Sequence, residues 1–80
     1  MRLPRDLSGR NLVKALERIG YAPARQEGSH VQLTFAGPPQ HHVTVPLHDT
    51  LQMGLLAAIL DEVAGARHLD RAELIRLLEI

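Results

Sequence analysis

The sequence predicts an α+β domain in which one helix, three antiparallel strands and two further helices follow in order, with the helices on one face of the sheet. Three observations carry this. Apolar residues recur at helical spacing near both ends of the chain, two central runs alternate with a period of two, and glycine or proline stands at the joints. At 80 residues the chain is expected to form one domain, residues 1–80, with no room for a second core.

Ser8 is placed to cap a helix over 8–19, where Leu12, Val13, Leu16 and Ile19 share a face and Gly20 suits a left-handed end. Ala22 to Glu27 reads as a strand that Pro23 confines to an edge. Gly28-Ser29 fits a two-residue type II′ turn, because glycine takes the positive φ of the first central position. His30–Phe35 and His42–Val45 then form a hairpin around the Gly37-Pro38-Pro39 loop, and Pro46 ends the ladder. Leu51, Leu55, Ile59 and Val63, with Leu56 and Leu60 beside them, mark a buried helix near 51–64 that Gly65 closes. Asp70 and Glu73 form a capping-box pattern ahead of a short helix over 71–79.

Alternation assigns the faces. Val31, Leu33, Phe35, Val43 and Val45 point at the helices, while His30, Gln32, Thr34, His42 and Thr44 point away. Across the Gly28-Ser29 turn, Glu27 pairs with His30 and Arg25 with Gln32, which puts Arg25 on the open face. Pairing Phe35 with Val43 sets core against core and brings His30 level with His48; the neighbouring even register also keeps core against core.

Composition narrows the function. Without cysteine there is no disulfide, thiolate metal site or cysteine nucleophile. Aromatics make up 2% of the chain, too few for a base-stacking platform. No apolar run nears the roughly 18 residues of a membrane span, and the N-terminus lacks a secretory leader's apolar stretch, so a cytoplasmic location is expected. The net charge is zero but divided. Arg2, Arg5, Arg10, Lys14, Arg18 and Arg25 outnumber Asp6, Glu17 and Glu27 in residues 1–40, and residues 41–80 reverse the ratio. The basic half could meet a polyanion, or the split could be a solvated surface without a role.

His30 begins the central strand beside a tight turn, on the wet face. A histidine there can move a proton at neutral pH, as cleavage of RNA by its own 2′-hydroxyl requires, although alternation alone reads it as a surface polar residue. Arg25 could grip a phosphate bidentately or serve as an edge-strand charge. His48 could complete an acid–base pair or rest in a loop. Adjacent His41 and His42 point to opposite faces and no carboxylates cluster with them, so no metal site is expected. No small-molecule cofactor is implied, since nucleotide-binding and serine-hydrolase motifs are missing.

Gly20-Tyr21, Arg25-Gln26, Gly28-Ser29-His30, Val43-Thr44-Val45-Pro46, His48, Gly54 and Ile59-Leu60, in this order and spacing, resemble the HicA toxins of HicA–HicB toxin–antitoxin systems. The resemblance implies a fold like a double-stranded RNA-binding domain and an mRNA interferase that a HicB antitoxin covers. It also implies that His30 is the catalytic residue. On this reading His30 is the general base of a metal-independent endoribonuclease and His48 a candidate general acid. Arg25, Ser29, Gln32 and Lys14 would bind RNA. The alternative is a non-catalytic RNA-binding or protein-interaction module of the same fold.

Overall fold

A computed structural model describes residues 3–80, so Arg2, counted in the basic half, lies outside the described residues. The elements run α1 (Gly9–Arg18), β1 (Tyr21–Glu27), β2 (His30–Phe35), β3 (His41–Pro46), α2 (Met53–Arg67) and α3 (Arg71–Leu78). The strands form one antiparallel sheet in the order β1-β2-β3. This is the α+β arrangement expected from periodicity, and it agrees with a double-stranded-RNA-binding-domain-like fold.

Local chemistry accounts for the element ends. Ser8 caps α1 by accepting from the Asn11 N–H at 3.1 Å. Asp70 and Glu73 form the full capping box of α3. The prediction for α2 needs correcting at both ends. Leu51 is buried ahead of the helix, Gln52 is the cap, and the helix runs through Gly65 to Arg67. Gly65 is exposed in open space, so nothing there forces a break. The stop is His68 in the left-handed conformation, where the Leu69 N–H reaches back to the Ala64 carbonyl at 2.9 Å.

The core forms where the inner sheet face meets the helices. Val31, Leu33, Val43 and Val45 from the sheet join Leu12, Leu16, Leu56, Leu60, Val63, Leu74 and Leu78. Full burial of one such side chain contributes about 1.5–3 kcal/mol, so this layer holds the sheet while its other face stays open. Among the described residues no helix is long and apolar enough to cross a membrane.

Two register features place the side chains. β3 pairs Phe35 with His41 and His30 with Pro46, the neighbouring even register rather than Phe35 with Val43. The Phe35–Val43 pairing would have put Pro46 opposite Gln32 in mid-strand, where its missing N–H breaks the ladder; the observed register moves it to the strand end. His30 is therefore level with Pro46, not with His48. In β1, Glu27 opposes His30 and Arg25 opposes Gln32 as expected, but a bulge between Pro23 and Arg25 shifts the rest, so Tyr21 opposes Phe35. The extra residue lets one short strand bury Tyr21 and expose Arg25.

Candidate active site on the open face of the sheet

Gly28 takes φ +57°, and no positive φ occurs at Ser29, as a type II′ turn requires. The turn holds β1 and β2 in tight register, so Glu27 and His30 face each other across the strands, with Arg25 and Gln32 in the next pair. Arg25, Glu27, His30, Gln32 and Thr44 line one open hollow of about 220 Å³. Arg25 and Glu27 are joined in an ion pair along the edge strand, both largely exposed. The pair adds little stability, but it holds the guanidinium beside the histidine.

Of the residues singled out from the sequence, Arg25, His30 and Gln32 are brought together. Ser29 is next to them in the turn, and its carbonyl accepts from the Leu47 N–H. That bond extends the ladder past the His30–Pro46 pair.

His48 follows as an exposed loop residue that is not among those lining the hollow. Its backbone is fixed, because the Gly9 N–H donates to the His48 carbonyl at 2.9 Å. Gly9 is needed there: a Cβ would lie 2.0 Å from the Pro46 carbonyl oxygen. Lys14 lies elsewhere, with Arg10 and Glu17 in a hollow between α1 and β1. Glu27 and Thr44 join the site beyond the residues expected from the sequence, and strand pairing and alternation are the signals that put them on the open face.

A second polar group occupies the other face, at the far end of the hairpin. The Tyr21 hydroxyl and His41 Nδ1 are 2.8 Å apart, and His41 Nε2 is 3.8 Å from a Glu62 oxygen. Arg67 lies over the Phe35 ring at 4.0 Å and donates to the Ile19 carbonyl at 2.9 Å. Burial raises the Tyr21 pKa above its ordinary value, while the nearby Arg67 opposes the rise. Nothing in the sequence spacing signals this group, because it joins β1, β3 and the end of α2.

No curated protein and no solved structure matches the chain at a significant level. A family model does match, and it covers most of the chain, from the first residue of α1 into α2. That model, described as the HicA toxin of bacterial toxin–antitoxin systems, matches residues 9–65, and the chain belongs to this family.

Proposed function

We propose that this toxin of a toxin–antitoxin pair is an mRNA interferase whose chemistry is centred on His30. The observation that carries the reading is the exposed His30 facing Glu27 in a hollow shared with Arg25. The His30 imidazole takes the proton from the 2′-hydroxyl of the substrate, whose oxygen then attacks the adjacent phosphorus. Glu27 stands across the strand pair to balance the imidazolium that results. Arg25 and the amides of the Gly28-Ser29 turn stabilise the charge that builds on the phosphoryl oxygens.

The 5′-oxygen leaves with a proton from His48, the proposed general acid. The sequence of steps uses no protein nucleophile and no metal. Gln32 and Ser29 position the strand, and Lys14 meets phosphates outside the hollow. A HicB-type antitoxin inhibits by covering the face that bears Arg25 and His30.

The test is a labelled RNA incubated with the purified protein in EDTA. Products ending in a 2′,3′-cyclic phosphate and a 5′-hydroxyl are expected. Retardation of the RNA without cleavage would instead favour a binding module, and neither would leave protein interaction alone.

A further inference from the structure

A second hollow, of about 330 Å³, lies where the open face meets α2 beside the edge strand β3, and it is not used by the chemistry above. It is lined by Gln32, His42, Thr44, Ala58, Ile59 and Glu62. Gln32 and Thr44 also line the His30 hollow, so the two adjoin across the middle of the sheet. Its walls differ in chemistry. Exposed Ala58 from α2, with the largely buried Ile59 beside it, supplies apolar surface, while Glu62, one helical turn on from Ala58, supplies a carboxylate. On the sheet side, His42 is held by its Nδ1, 2.9 Å from Thr34 Oγ1, and this leaves Nε2 unengaged. One Glu62 oxygen lies 3.8 Å from His41; the other makes no ion pair among the described residues.

We infer that this second hollow is a nucleobase subsite that selects guanine in the nucleotide next to the scissile phosphate. The inference rests on the ribonuclease reading for its position but not for its chemistry. A carboxylate accepts hydrogen bonds and donates none, so it favours a base edge with adjacent donors. On the Watson–Crick edge only guanine offers two neighbouring donors, N1–H and the N2 amine. Adenine and cytosine set a ring-nitrogen acceptor beside their one amine, and uracil flanks its single N–H with two carbonyls; each would place a lone pair against Glu62. The Gln32 amide can donate to guanine O6, and the apolar wall of Ala58 and Ile59 covers a ring face. A strand with its scissile phosphate at His30 would have its next base over the Gln32–Thr44 saddle, facing Glu62.

The test measures binding by fluorescence anisotropy, with short oligonucleotides made uncleavable by a single 2′-deoxy substitution at the scissile nucleotide. The neighbouring base is guanine, inosine, adenine, cytosine or uracil. Guanine should bind roughly tenfold or more tightly than the other three standard bases, the discrimination usual for a bidentate contact. Inosine, which lacks the N2 amine, should fall between.

Glu62→Gln should erase the guanine preference, weakening the guanine oligonucleotide while the uracil oligonucleotide, relieved of the lone pair set against the carboxylate, binds no more weakly than to the native protein. Because the readout is a ratio between ligands, partial unfolding of the variant cancels. No preference in the native protein, or a preference that survives Glu62→Gln, overturns the inference, as does guanosine monophosphate binding as tightly as the oligonucleotide. Absence of cleavage in the parallel assay with unmodified RNA would defeat the ribonuclease reading while the binding ratios still judge the subsite.

Discussion

His30 and His41 stand at opposite ends of one hairpin and on opposite faces of the sheet, and each has a glutamate and an arginine for company. Near the Gly28-Ser29 turn these are Glu27 and Arg25, all exposed to solvent around an open hollow. At the far end they are Glu62 and Arg67, and there the histidine side chain is only 18% exposed, its ring bonded to a buried tyrosine. The residue types are nearly the same, but their availability is not. At the far end Tyr21, His41 and Arg67 each have a protein partner, and the exposed Glu62 turns one oxygen toward His41, so the cluster contributes to holding α2 on the sheet. Near the turn, Arg25 and Glu27 are paired with each other and the imidazole faces water, free to meet a substrate.

Substituting the two histidines separates the clusters most sharply. His30→Ala should lower RNA cleavage by roughly 10²- to 10⁴-fold, the usual contribution of a general base, with the thermal midpoint unchanged because no core contact is lost. His41→Ala should do the opposite. It strands the buried Tyr21 hydroxyl at a cost of about 1–3 kcal/mol, while the folded fraction cleaves at the native rate. Cleavage rates and denaturant midpoints on both variants check this; native activity in His30→Ala would remove it from the site.

The proposed general acid is the next lever. His48→Ala should remove one limb of a two-limbed pH–rate profile that His30 otherwise shares. The Gly9 bond to the His48 carbonyl involves backbone only, so the loop keeps its place in the variant. A profile with both limbs intact would leave His48 a loop residue and return the leaving-group proton to water.

The arginines extend the comparison with a smaller effect. Arg25→Ala should slow cleavage by less than the roughly 10²-fold of a water-excluded oxyanion donor, because Arg25 is exposed and shared with Glu27. It should also flatten the salt dependence of RNA binding by about 0.7 in the log–log slope, one phosphate contact on a single strand. Arg67→Ala should leave that slope alone, since its guanidinium is already committed to Phe35 and the Ile19 carbonyl. Equal slopes for the two variants would erase the distinction between the clusters.

How much of this was legible follows from the range of the interactions. The alternation of β2 and β3 separates His30, Gln32 and Thr44 from Val31, Leu33, Val43 and Val45 with no knowledge of the fold, because strand parity is local. The tight Gly28-Ser29 turn likewise settles the neighbours of His30. Register across the longer 36–40 connection needs one more consideration, the cost of Pro46 in mid-strand. The β1 bulge could have been inferred as well. Tyr21 and Arg25 are both odd-numbered, yet one is apolar enough to bury and the other is not, so a strand carrying both needs an extra residue between them. The Tyr21–His41–Glu62–Arg67 cluster could not be read this way, because it depends on how α2 crosses β3. The same crossing brings Glu62 beside Gln32 and Thr44.

The smallest expected effect tests the packed end alone, and the chain supplies its own probe, because Tyr21 is the one tyrosine in the sequence. Burial raises its pKa in the folded protein, so above the ordinary value near 10 the unfolded chain gives up the phenol proton first. The unfolded state then binds fewer protons than the native one, and stability falls as pH rises. The contribution from Tyr21 is fully present below pH 10.0 and is lost as pH passes the raised folded value. Tyrosinate absorbance should therefore titrate at higher pH in the native protein than in urea. Arg67→Ala, by removing the cation that opposes the rise, should move the native midpoint higher still. Tyr21→Phe should cost about 1 kcal/mol at neutral pH for the lost bond to His41, and its stability should then decline less steeply than that of the native protein in alkali. A native titration at or below the unfolded one would mean that the far cluster is as open to water as the near one.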